Sequence, residues 1–181
     1  MIRYVADLHF GHENMIRMDG RPFGSVSEMD EALVRRWNEV VGDDDEVYVL
    51  GDFCYKSSKD PSEYLKRLKG RKRLIVGNHD GRLVKNRRAA AFFESIDDML
   101  TINDGDRQVV LCHYPLAEWA GYFRGAYHVY GHVHNNFHND YWKFMKTQER
   151  ALNAGCMVNG YAPATLEELI RNNERIRKEH P

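Results

Sequence analysis

The sequence predicts an α/β domain with one chemically loaded edge, and three observations carry that prediction. Short apolar runs alternate with stretches of helical periodicity. Five of those runs are followed, directly or after one glycine, by Asp, Asn or His. No linker, internal repeat or low-complexity segment divides the 181 residues, so residues 1–181 are read as a single domain.

The first expected strand covers residues 2–8, largely apolar after Arg3. Residues 11–24 then read as a long loop, broken by Gly20, Pro22 and Gly24. A helix is expected over 27–41, where Ser27 and Asp30 offer a capping box. Met29, Leu33, Trp37, Val40 and Val41 make one apolar stripe along it. A second strand is expected at 46–50. Asp60 can cap a helix with Pro61 in its first turn and Glu63 behind it, ending near residue 68. Further strands are expected at 73–76, 109–112 and 127–130, with 95–106 irregular or a weak edge strand. Thr165 and Glu168 offer another capping box, opening a C-terminal helix that carries Leu166, Leu169, Ile170 and Ile176.

Lysine and arginine number 26 against 27 aspartates and glutamates, a net charge of −1. Nothing in that balance argues for nucleic acid or a membrane surface as partner. Cys54, Cys112 and Cys156 are odd in number and widely spaced, with no CxxC pair, which excludes a zinc ribbon or finger. Cys112 lies in an apolar run and reads as a small buried hydrophobe. The N-terminal residues contain no apolar stretch long enough for a signal peptide, and the longest apolar run, 89–93, is too short to span a bilayer. The expected compartment is the reducing cytoplasm, with no membrane partner.

The informative residues follow the strands. Asp7-Leu8-His9 follows the first, Gly51-Asp52 the second and Gly77-Asn78-His79-Asp80 the third. His113 follows the fourth, and Gly131-His132-Val133-His134 the fifth. Sites in open α/β sheets assemble beyond the carboxyl ends of strands. Each block alone has a bland explanation: a turn for Gly-Asp and for Gly-Asn, and chance alternation for Asp-x-His. Five blocks in order, each at a strand end, are hard to attribute to chance. Imidazole, carboxylate and amide oxygen without thiolate suit manganese, iron, zinc, nickel or cobalt. Seven such ligands exceed what one tetrahedral ion needs. They suit two ions sharing a carboxylate, an arrangement that clamps the attacking and leaving oxygens of a phosphoryl displacement.

The order Asp-x-His, Gly-Asp, Gly-Asn-His-Asp, His, Gly-His-x-His over residues 7–134 resembles the calcineurin-like metallophosphoesterase superfamily. The tail is similar to the closing strand and helix of small bacterial members, in Asn153-Ala154-Gly155, Gly160-Tyr161-Ala162-Pro163 and Thr165-Leu166-Glu167-Glu168. The resemblance implies two facing β-sheets flanked by helices, with a dimetal site at the strand ends. It implies that Asp7, His9 and His134 hold one divalent metal and that Asn78, His113 and His132 hold the second. Asp52 would bridge the two. Manganese stands first among the metals named above. His79 would bind no metal, face the phosphate-ester substrate and help the leaving oxygen depart. A hydroxide shared by two cations would then attack phosphorus in line with that oxygen.

Four further readings complete the expectation. His12 either supports the metal ligands from behind or contacts phosphate, or is a surface histidine on a long loop. The basic clusters at 66–73 and 82–88 read as solvated faces on two short helices, or as a field for an anionic substrate, nucleic acid included. The serine/threonine protein phosphatases of the superfamily carry Gly-Asp-x-x-Asp-Arg-Gly, and Gly51-Asp52-Phe53-Cys54-Tyr55-Lys56-Ser57 departs from it. Walls around the site can come only from residues 11–24, 53–60 and 114–125, with Trp119, Tyr122 and Phe123 either stacking on a base or packing their loop. So open a site favours a phosphodiesterase. The alternatives are a phosphomonoesterase, a nuclease or nucleic-acid-end processing enzyme, and a non-catalytic scaffold of the kind this fold provides in the retromer complex.

Overall fold

A computed structural model describes residues 1–181. Strand β1 (Ile2–Val5) is followed by helices α1 (Asn14–Met18) and α2 (Val26–Val40), then β2 (Glu46–Val49), α3 (Pro61–Leu65) and β3 (Arg71–Ile75). Short helices α4 (Gly81–Lys85) and α5 (Arg87–Ala90) lead into β4 (Phe93–Asp97) and β5 (Met99–Asp104). The chain continues through β6 (Arg107–Cys112), β7 (Tyr127–Tyr130), α6 (Asp140–Met145), β8 (Ala151–Asn153) and α7 (Leu166–Glu179).

The strands form two four-stranded sheets, ordered β1-β2-β3-β4 and β5-β6-β7-β8. Every pairing is parallel except β5 with β6. The period-two alternation of the strands builds three apolar layers. Val5, Val47, Val49 and Leu74 point from the first sheet toward α2 and α3, meeting Met29, Leu33, Trp37 and Leu65. Tyr4, Ala6, Tyr48, Leu50 and Ile75 point the other way and meet Val109, Leu111, Val129 and Leu152 of the second sheet. The outer face of the second sheet is covered by Trp119, Ala126 and Met145 from the loop before β7 and from α6. The two sheets are joined at one edge: Ala6 donates its N–H to Ala154 and accepts that of Cys156. Helix α7 closes that edge with Leu166 and Leu169, and its capping box at Thr165 and Glu168 is formed as expected.

Several expectations are corrected. The first strand ends at Val5, because Asp7 and His9 both take left-handed backbone (φ 57° and 51°) that no strand can carry. Helix α2 is capped by Ser25, which accepts from Glu28, not by the pair Ser27 and Asp30. Asp30 is instead buried and accepts from Gly11 N–H and Tyr64 O–H. The Asp60 capping box is present, but α3 stops at Leu65. Residues 11–24 contain α1, and 95–106 supplies parts of two edge strands in different sheets. Cys112 is partly exposed. The cluster at 66–73 is not a solvated helix face: it includes β3, where Lys72 is buried and donates its amine to the carbonyls of Leu68 and Gly70. Arg67 pairs with Glu31, and Arg73 with Glu46 and Glu94. Trp119 and Tyr122 pack against each other, and Trp119 against His128, so they hold their loop to the sheet rather than walling the site.

His128 belongs to the core and not to the site. It is wholly buried on β7, with Nδ1 beside the Val110 carbonyl and Nε2 accepting the Leu116 N–H. A proton on Nε2 would face that N–H, and burial pushes the imidazole pKa down to about 4. The unfolded chain, with the ordinary value of about 6.5, takes up the proton first. The stability held by a neutral His128 is therefore complete above about pH 6.5 and lost as pH falls toward 4, to the extent of about 3 kcal/mol. Urea unfolding across that window should show a shallower pH dependence for His128→Gln than for the parent protein. Equal slopes would overturn the assignment.

Candidate metal centre

Strand direction brings the polar blocks together. β1, β2 and β3 run parallel, as do β6, β7 and β8, and the parallel bridge between Ala6 and Gly155 aligns the two sets. Their carboxyl ends therefore open onto one edge of the sandwich. Asp7, His9, Asp52 and His134 converge so that one ligand atom from each lies within 4.8 Å of the others. His9 Nε2 stands 3.3 Å from His134 Nε2 and 3.5 Å from Asp52 Oδ2. A second group meets on the other side of Asp52. Asn78 Oδ1 lies 3.0 Å from His113 Nε2 and 2.9 Å from His132 Nδ1, and His113 Nε2 lies 3.7 Å from Asp52 Oδ2. All seven residues expected as ligands are thus in two groups, and Asp52 is common to both.

The backbone that delivers them is unusual. Asp7, His9, Asp52, His132 and His134 all have positive φ, between 51° and 72°. Left-handed backbone costs an ordinary residue about 1–2 kcal/mol. Local hydrogen bonds hold it. Asp7 N–H donates to Gly51 O and His9 N–H to Asp52 O. The buried Asp80 carboxylate accepts the N–H groups of Asp52, Phe53 and Gly77. The Asp7 carboxylate accepts that of His132. Gly51 has φ 82°, and a Cβ there would collide with the His113 ring and the Gly77 backbone, so this position tolerates no side chain.

The donor set fits divalent cations on observations within the molecule. Asp7 is wholly buried and Asp52 2% exposed, yet neither carboxylate has lysine or arginine among its partners. Burial pushes the Asp7 carboxyl up to about 6, ahead of the opposing pull of His134 and His113. Burial, then His134 and Arg21, hold the His9 imidazole far below its usual pKa, in the neutral form that ligates. His113 Nδ1 sits 2.8 Å from the Leu50 carbonyl, which assigns that nitrogen its hydrogen and turns the Nε2 lone pair to the site. Buried carboxylates and facing lone pairs of this kind require positive charge between them.

Two contributors escaped the sequence reading. His134 Nδ1 lies 2.8 Å from Asp19 Oδ1. Asp19 in turn accepts from Arg21, whose buried guanidinium also donates to the backbone carbonyls of Leu8 and Asp7. Burial disfavours charge on His134, and Asp19 outweighs it, raising the pKa. Carboxylate–imidazole–metal relays of this type fix the ring and raise its basicity. No motif marks Asp19 or Arg21; the available signal was a charged pair flanking Gly20 within an expected loop. His12, the eighth residue proposed for binding, is no surface histidine. It is 8% exposed, its ring centroid lies 5.5 Å from that of His9 and 5.0 Å from that of Tyr55 in an edge-on contact, and its Nδ1 is buried without a partner. His79 lies at the rim, one-third exposed, with Nε2 4.0 Å from Asp52 Oδ2 and its N–H donated to Asp52 Oδ1. The Tyr55 ring lies against it, tilted by 34°, with ring centroids 4.0 Å apart.

Comparison with known proteins bears on this geometry. Residues 1–166 match the calcineurin-like phosphoesterase superfamily domain. The chain is 32% identical over 176 residues to an uncharacterized protein of Methanocaldococcus jannaschii, covering 96% of this chain and 92% of that protein. It is 31% identical over 159 residues to the Gene 66 protein of Mycobacterium phage L5, covering 73% and 76%. A solved protein of unknown function from Aquifex aeolicus superposes with a TM-score of 0.72 at 27% identity, over 94% of this chain and 98% of its own.

The two-group arrangement makes a graded expectation for cation binding. Asp52→Asn should impair both sites, and His9→Ala mainly one. Asp19→Asn, outside direct reach, should weaken the site at His134 by about 10- to 100-fold. Calorimetric titration with manganese measures each. Retention of both ions by the Asp52 variant, or an unaltered Asp19 variant, would refute the corresponding role.

Proposed function

The chain belongs to the calcineurin-like phosphoesterase superfamily, and on that premise we propose that it is a phosphodiesterase that works with two divalent metal ions, manganese foremost. The observation that carries the reading is Asp52 standing between two complete donor groups with His79 beside it. Asp7, His9 and His134 would hold one ion, Asn78, His113 and His132 the other, and Asp52 both. Such a pair of ions supplies positive charge for a phosphoryl group and a water of lowered pKa.

The chain's own residues do the rest. His79 sits outside both donor groups, is anchored through its backbone to Asp52 and is braced by Tyr55. In its protonated form it donates from the imidazole to the departing oxygen. His12, wedged between His9 and Tyr55, keeps those rings in place. The reading places the reaction in the cytoplasm, where the buried thiols of Cys54 and Cys156 stay reduced. No helix is long and apolar enough to cross a membrane. The partner is the phosphate-ester substrate itself.

A diester carries one negative charge fewer than a dianionic monoester, and none of the seven donor residues is accompanied by an arginine aimed at a third phosphate oxygen. Bis-p-nitrophenyl phosphate should therefore be cleaved with a higher kcat/KM than p-nitrophenyl phosphate. The reverse order would make the protein a monoesterase, and no cleavage of either by the manganese-loaded protein would favour a scaffold.

His79→Ala should keep both metals and lose rate, by about a hundredfold to ten-thousandfold for poor leaving groups and less for an activated aryl one. Equal losses across a leaving-group series would remove the acid role.

A further inference from the structure

The two flanks of the metal centre differ in charge. On one side, Met18, His134, Asn135, Asn136 and Asn139 line an open cavity without lysine or arginine. On the other, His79 forms one wall of a cavity of about 330 Å³ bounded by residues 54–61 and by α4. Lys56, Lys59 and Arg82 line this second cavity. None of the three forms an ion pair, in contrast to Arg67, Arg71 and Arg73 on the neighbouring surface. Its one acidic residue, Asp60, accepts from Ser62 N–H and from the Asn86 amide at 2.9 and 2.7 Å, which leaves three cations against a single carboxylate. Lys56 and Lys59 hold their ammonium groups 5.2 and 5.7 Å over the rings of Tyr55 and Tyr64.

Resting on the diesterase reading above, we propose that this cavity binds a phosphate group carried by the leaving arm of the substrate. The leaving oxygen departs toward His79, so the alcohol it belongs to enters the cavity that His79 walls. Three unpaired cations there, and none on the opposite flank, select a leaving alcohol bearing its own phosphate and an arm on the other side that bears none. The chemistry is that of a nucleotide, supplied by a small phosphorylated ester or by the next phosphate of a nucleic-acid strand.

The test compares kcat/KM of the manganese-loaded protein on thymidylyl-thymidine, the same dinucleotide with a 3′- or a 5′-terminal phosphate, and single-stranded octathymidylate. Bis-p-nitrophenyl phosphate reports the diesterase activity itself. One phosphorylated dinucleotide should be favoured over the bare one by about tenfold, the size that two exposed charge contacts supply. Octathymidylate matching that gain indicates a small ester as the source, and a further gain indicates a strand; both support the cavity. In Lys56→Ala/Lys59→Ala/Arg82→Ala the ratio of phosphorylated to bare dinucleotide should fall to near unity. It should persist in Lys85→Ala, a change on the same helix but outside the cavity. Melting temperatures equal to the parent's exclude a folding defect. No preference for either terminal phosphate, or a preference that survives the triple substitution, with bis-p-nitrophenyl phosphate still cleaved, overturns the cavity and leaves the diesterase reading in place. No diester cleaved at all overturns both.

Discussion

Left-handed backbone at the ends of β1, β2 and β7 is the constraint the rest of the molecule serves. Glycine would adopt it without strain, but glycine has no ligand atom, so Asp7, His9, Asp52, His132 and His134 must carry the cost themselves. The fold answers with two buried carboxylates that accept backbone N–H groups. Asp80 gathers three N–H groups from the turns after β2 and β3, and Asp7 takes that of His132 from the other sheet. Small residues let this happen. A Cβ on Gly131 would strike Ala6 and crowd the Asp7 carboxylate, so the close approach of β7 to β1 depends on its absence. The joint between the sheets is therefore also the joint between the two donor groups.

The same coupling explains why residues 11–24 are ordered. Arg21 is buried where an arginine is expensive, and it remains because Asp19 and two backbone carbonyls beside the Asp7 turn satisfy it. Through Asp19 it reaches His134, and Asn135 donates to the Asp19 carbonyl. A loop that reads as irregular is thus a brace between the first and last ligand blocks. Its ordering and the orientation of the His134 ring are one structural event.

What the sequence disclosed follows from how local each signal is. The candidate ligands were legible because each follows an apolar run, where a side chain has no packing role to explain it. The capping boxes at Asp60 and Thr165 were legible because they are closed within four residues. Ser25 was displaced from notice by Ser27, since a two-residue shift changes which oxygen caps without changing the pattern. Strands β4 and β5 were legible only as irregular chain or one weak edge strand, because they lie at sheet edges with polar residues mixed into the run. Asp19 and Arg21 were hidden because their meaning depends on a partner 115 residues away. The facing of the two sheets came from the resemblance alone; alternation gives strands but not the layer they pack on.

Charge makes the same point at the surface. The run at 66–73 is the most basic in the chain, yet three of its cations are taken up by the protein itself, Lys72 by carbonyls and Arg67 and Arg73 by glutamates. Lys56, Lys59 and Arg82 form no run at all, and they are the ones without acidic partners beside His79. Density of charge along a chain therefore says little about the field at a site. A paired cation offers a substrate little, because its carboxylate cancels most of its potential beyond a few ångströms. An unpaired one on the wall of a cavity keeps its potential, and low-dielectric walls focus it. With a net charge of −1 the molecule has no long-range pull on a polyanion. Selection among phosphate esters must then arise within the reach of the cavity walls, after encounter, and it acts on the arm of the substrate that lies against them.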